Sequence, residues 1–159
     1  HAELYPGEDT SGKLVSQVRR QAEEKGKLLG VDFMVIDSPP GIGCPVIASL
    51  SGVDLAVVVV EAGRSGLSDA ERLIQLLRRM KIEAVGLINK TGIDEEIDDE
   101  ARQLLGRYEI PLFGEIPFDS RLRRSTEAQE GWVDSSDPWV SELSRSFCRA
   151  IVETKRRTR

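Results

Sequence analysis

The 159 residues are 40% hydrophobic and 31% charged, with a formal net charge of -5. That composition suits a single soluble globular domain and argues against a general nucleic-acid or anionic-membrane surface. No apolar run approaches transmembrane length, the start lacks a signal-peptide pattern, and two well-separated cysteines, Cys44 and Cys148, indicate a reduced intracellular chain without a disulfide framework.

Residues 1–10 are polar and irregular, and the chain opens on His1 with no Met, as a fragment or a processed protein would. The run Gly7-Glu-Asp-Thr-Ser-Gly-Lys-Leu14 nearly matches the phosphate-binding G-x-x-x-x-G-K-[S/T] loop. Leu14 stands where a hydroxyl should reach Mg²⁺, and no buried strand precedes Gly7 to deliver the loop. The stretch is better read as the start of a helix at Ser11, with Leu14, Val15, Val18 and Ala22 on one face.

Val31-Asp-Phe-Met-Val-Ile-Asp37 then reads as a short buried strand ending in a carboxylate, followed by the turn formers Pro39, Pro40, Gly41 and Gly43. A carboxylate on a strand tip beside exposed backbone N–H groups can hold a hydrated Mg²⁺ next to a phosphate. The local pattern is equally that of a strand ending in Asp before a proline turn. A short helix is expected over Cys44–Leu50. Asp54–Val60 reads as a strand buried on both faces, ending at Glu61 and a glycine-containing loop.

A helix follows with Leu67, Ala70, Leu73, Ile74 and Leu77 at helical spacing, and Ser68 and Glu71 have the spacing of a capping box at its start. Ala84–Ile88 is the next strand, ending at Asn89-Lys-Thr-Gly92. The next helix carries Ile97, Ala101, Leu104 and Leu105 behind an acidic first turn. Pro111–Ile116 forms a strand ending at Pro117-Phe-Asp119, and a last helix near Pro138 carries Trp139, Leu143, Phe147 and Ile151. The basic residues at 154–159 read as the solvated end of that helix.

Strands alternating with amphipathic helices predict one α/β domain over 1–159, with a mainly parallel sheet and right-handed crossovers. Asp37, Glu61, Asn89 and Asp119 all fall at carboxyl ends of predicted strands, which line one edge of such a sheet and can share one crevice.

Four runs in order carry a resemblance: Asp37-Ser-Pro-Pro-Gly-Ile-Gly-Cys-Pro, Glu61 with Arg64-Ser-Gly and then Asp69 and Arg72, Ile88-Asn-Lys, and Gly114-Glu-Ile-Pro-Phe-Asp119. Together they resemble the MinD/ParA/Mrp group of P-loop ATPases, most closely the MinD-like branch with an inserted ferredoxin domain. The resemblance covers nearly the whole chain and matches the C-terminal portion of that fold. The family's phosphate-binding loop and its iron–sulfur insert are not in this sequence. Ala62 and Gly63 depart from the Pro-Thr usual after the glutamate, so the loop there is expected to be set differently.

The resemblance implies roles for individual residues. Asp37 would bind Mg²⁺ through water, and Gly41 would lie in the switch loop that senses the γ-phosphate. Asn89 would hydrogen-bond adenine, with Pro117, Phe118 and Asp119 closing over the base. The alternative for Asn89 is to hold its own turn together. The implied cofactors are ATP and Mg²⁺, with an iron–sulfur cluster only in the absent insert. The implied setting is cytoplasmic, with a homodimer in the parent protein and a redox or iron–sulfur protein as partner.

Three functions are compatible: a nucleotide-binding portion of a MinD-like ATPase, inactive alone; a non-catalytic interaction module that keeps the fold; and an ATPase domain related to cobyrinic acid a,c-diamide synthase. The third needs a Cys–His glutaminase pair, and His1 is the only histidine. Cys44 is expected under the switch loop and Cys148 in the core of the last helix. With no strand between them, Val35 and Val58 are expected to lie on adjacent parallel strands, unless another chain fills the gap.

Overall fold

The computed structural model describes residues 11–119, 141–142, 144–149 and 152. The predictions for residues 1–10, for the start of the last helix with Trp139, Leu143 and Ile151, and for the basic tail fall outside these residues. The chain divides after Val53 into two compact units.

The first unit holds α1 (Ser11–Leu29) and α2 (Cys44–Leu50). Leu14, Val15 and Val18 of α1 are half-buried and Ala22 is exposed. Gly12 approaches Cys44, so that a Cβ on it would stand 3.4 Å from the Cys44 Cβ. Arg19 joins the helices: its Nη1 donates to the Ala48 carbonyl at 2.9 Å and to the Ser51 carbonyl, both at the end of α2. A guanidinium there meets carbonyls that the helix cannot satisfy and the negative end of its dipole.

Between the helices the chain departs from the sequence expectation. Residues 31–39 form no strand. Phe33 is 55% exposed and Val35 is 83% exposed. A strand is stabilised by its ladder and by cover on its faces, and among the described residues no ladder forms along this segment.

The second unit contains β1 (Leu55–Glu61), α3 (Arg64–Met80), β2 (Glu83–Thr91), α4 (Glu95–Arg107) and β3 (Leu112–Pro117). The three strands are parallel in the order β1-β2-β3. Crossovers that step one way with one hand put both helices on one face. Accordingly α3 packs on β1, α4 on β2, and the two helices on each other. The core between these layers contains Ala56, Val58, Val60, Ala70, Ile74, Leu77, Ile88, Ala101, Leu104 and Leu105.

Gly86 lets α4 come close: a Cβ there would lie 2.5 Å from Leu105 Cδ1. On the last helical segment, Phe147 packs against Phe113 with ring centroids 5.6 Å apart.

Four further expectations need correction. β1 is not buried on both faces, because Val57 and Val59 alternate outward and are exposed on an edge strand. The Val35–Val58 strand pairing is not formed: β1 pairs with β2, and residue 35 is not in a strand. α3 begins after Gly63 rather than at Ser68, with no side-chain cap, so the capping-box spacing sits inside the helix. Cys148 is exposed rather than buried, as is Cys44; both are free thiols.

Candidate functional site

The carboxyl edge of the sheet in the second unit gathers the ends of all three strands. Glu61 and Asn89 are register partners, as are Asn89 and Ile116, and Thr91 and Pro117. The strand ends are tied by backbone bonds: Ala62 N–H donates to the Asn89 carbonyl at 2.9 Å, and Phe118 N–H donates to the Thr91 carbonyl at 2.8 Å. Glu61, Asn89, Pro117, Phe118 and Asp119 therefore occupy one edge because the register brings the carboxyl ends of the three parallel strands together. Phe118 offers an exposed ring and Pro117 is exposed beside it.

The loop after β1 is held by close approach. A Cβ on Gly66 would collide with the Glu61 carbonyl oxygen, so glycine is required where α3 turns back over the strand tip.

At the end of β2 the strand is irregular. The ladder slips between Asn89 and Thr91, and Lys90 adopts φ 65, in the left-handed region. Such a conformation costs a non-glycine residue roughly 1–2 kcal/mol and persists only when its surroundings hold it. Several contacts do so. The Lys90 N–H donates to Asn89 Oδ1 at 3.0 Å, and Lys90 Nζ pairs with Glu61 Oε1 at 2.9 Å. Gly92, with φ 86, donates its N–H to Asp98 Oδ2 at 2.7 Å. Asp98 is 4% exposed. The Asn89 side chain thus takes part in its own turn through its oxygen.

Sequence reasoning did not single out Lys90 or Asp98. Nothing in Asn-Lys-Thr-Gly announces a left-handed lysine. Asp98 did leave a signal: it shares the i, i+3, i+7 stripe of Ala101 and Leu105, the buried face of α4, where a carboxylate is out of place. The acidic first turn expected from the sequence is present, and Asp94, not singled out by the sequence reading, caps it: its Oδ1 accepts from the Glu96 N–H at 3.1 Å and the Ile97 N–H at 3.4 Å.

Beside this edge, Arg102 on α4 grips Glu115 on β3 through two bonds, Nε to Oε1 at 2.7 Å and Nη2 to Oε2 at 2.8 Å, and also bonds Asp99. The hydrogen bonds from Arg102 hold the Glu115 carboxyl below the usual glutamate range.

Asp37 and Gly41 lie in the first unit. Asp37 is exposed and is not at a strand tip, because the strand is not formed. Gly41 has φ 94, a backbone that favours glycine. The turn between them is tethered to α2: Ser38 Oγ and Ser49 Oγ are 2.6 Å apart, and buried Ser49 donates to the Val46 carbonyl at 2.8 Å.

A parallel sheet with helices packed on it and a polar carboxyl edge is an open α/β architecture, and here it is that of the MinD-like P-loop NTPases. The MinD cell division protein of Aquifex aeolicus superposes with a TM-score of 0.68 at 22% identity, over 88% of this chain and 60% of that one. Residues 10–152 match the ParA family, described as NUBPL iron-transfer P-loop NTPase. The chain belongs to that family, within the MinD/ParA/Mrp superfamily.

An uncharacterised protein of Methanocaldococcus jannaschii is 35% identical over 117 residues, 74% of this chain and 37% of its own length. An iron-sulfur cluster carrier protein of Pyrococcus horikoshii is 23% identical over 73% of this chain and 43% of its own length. The chain thus spans less than half the length of these two relatives. Among the described residues no helix is long and apolar enough to cross a membrane.

Proposed function

We propose that this chain is the C-terminal portion of the ATPase domain of a MinD-like protein, and that it supplies the base-binding side of an ATP site. The observation that carries the reading is the edge where Asn89 stands beside Pro117 and Phe118, linked by the Phe118 N–H to Thr91 carbonyl bond. Asn89 offers an amide donor and acceptor to the adenine edge, and Phe118 offers a ring to its face. Family membership and the iron–sulfur carrier relative support a nucleotide-driven role connected with iron–sulfur protein chemistry.

Asp37 fits as a ligand to Mg²⁺ through water: it is one exposed carboxylate beside a glycine turn, enough to orient a hydrated ion and too little to cage a bare one. A bound Mg²⁺ would neutralise phosphate charge, and Gly41 would let the neighbouring backbone N–H groups approach the γ-phosphate. Phosphoryl transfer depends on positioning and on positive charge around the phosphates. None of the motifs in this sequence supplies the phosphate-cradling loop, so the chain by itself is expected to be inactive.

The test is isothermal titration of Mg-ATP into the 159-residue chain and into the intact protein. The chain should show no micromolar binding and no phosphate release. The intact protein should bind, and Asn89→Ala should weaken that binding about tenfold or more with little change in Tm, since a base edge left unpaired is costly. Unchanged affinity with a large loss of Tm would leave Asn89 a turn residue only and defeat the reading.

A further inference from the structure

We infer that Asp98 is a positioning residue for the base-binding edge, holding the left-handed turn Lys90–Gly92 that presents Asn89. The inference rests on the base-binding reading of Asn89 given above.

Four observations converge on it. Asp98 sits on the buried stripe of α4, where an aliphatic side chain would serve packing better. Its Oδ2 accepts from Gly92 N–H at 2.7 Å, a charge-assisted bond to the backbone just past the bulge. Its Oδ1 is buried without a hydrogen-bond partner among the described residues. Lys90 and Gly92 both carry positive φ, 65 and 86, so the backbone there needs an external hold.

A half-satisfied buried carboxylate is unfavourable for stability and is retained where it fixes a conformation. The conformation it fixes is local. With the Gly92 N–H anchored to α4, Lys90 stays left-handed, its N–H reaches Asn89 Oδ1, and the amide of Asn89 is held at the sheet edge. Without the anchor the turn can relax toward ordinary strand geometry, which rotates Asn89 away from the base.

The test compares ATP with inosine triphosphate, which lacks the exocyclic amine of adenine, as ligands of the intact protein. Wild type should prefer ATP, and Asn89→Ala should abolish the preference. Asp98→Ala should cut the preference about tenfold, the scale of one hydrogen bond to a charged group. Asp98→Asn should keep most of it, because an amide oxygen still accepts from Gly92.

If Asn89→Ala leaves the preference intact, the base-binding reading fails and the role of Asp98 falls with it. If Asn89→Ala abolishes the preference and Asp98→Ala does not reduce it, the reading stands and the inference about Asp98 is overturned. Should Asp98→Ala not fold, Asp98→Asn carries the test by NMR. The Gly92 amide proton should then move upfield and exchange faster than in wild type, and an unmoved, equally protected Gly92 amide would overturn the inference.

Discussion

Two stretches of this chain read almost alike. Phe33-Met-Val-Ile-Asp37 and Ala56-Val-Val-Val-Val-Glu61 are both β-prone apolar runs that end in a carboxylate and a glycine-containing loop. Only the second is a strand. Leu55–Glu61 lies against β2 over seven register pairs and has α3 on one face. Residues 33–37 belong to no ladder among the described residues, and Phe33, Met34 and Val35 are exposed. Intrinsic preference is worth about 1 kcal/mol across the whole strand scale and cannot by itself offset the backbone entropy of ordering several residues. Pairing decides. Among the described residues β1 is an edge strand, and its exposed Val57 and Val59 agree with a chain that spans less than half the length of these relatives.

The contrast can be broken by mutation. Ile88→Ala, at a fully buried site in the central strand, should destabilise the protein by about 2–5 kcal/mol. Val35→Ala should stay within about 0.5 kcal/mol, as exposed substitutions do. Denaturant titration of both variants checks this, and a comparable loss in the two would mean that residues 33–37 are packed in solution.

A smaller effect tests the sheet–helix layer. Gly86→Val sets new atoms against Leu105 and should cost about 1–3 kcal/mol by overpacking, read as a lower urea midpoint at unchanged slope.

The least effect belongs to the Arg102–Glu115 pair, which is partly exposed and worth on the order of 1 kcal/mol or less. Its sign is fixed. The folded carboxyl titrates below its ordinary value of 4.5, so its contribution is complete above that pH and is lost as pH falls through the lowered value. The stability gap between wild type and Glu115→Gln should be constant near neutrality and close as pH falls through the lowered pKa of the folded carboxyl.

Most of the α/β fold was legible because its signals are local. The alternation of apolar runs and the helical stripes of α3 and α4 each have a sequence period. The edge holding Glu61, Asn89 and Asp119 was legible for the same reason, since strand ends are readable. What failed depended on distant partners. The segment 33–37 depends on a ladder that the described residues do not form, and Cys148 is exposed where the helical stripe suggested burial. Lys90 is left-handed because Glu61 and Asn89 hold it and Asp98 anchors the turn through Gly92, contacts that no stretch of sequence displays.

Hydrogen exchange on the 159-residue chain tests most directly whether pairing, and not composition, makes the strand. The amides of Leu55–Glu61 that face β2 should be protected by several orders of magnitude, following the stability of the sheet. The amides of Met34–Asp37 should exchange at nearly the rate of an unstructured peptide. Equal protection at Val35 and Val58 would contradict the account, because it would mean that residues 33–37 already have a strand partner within this chain.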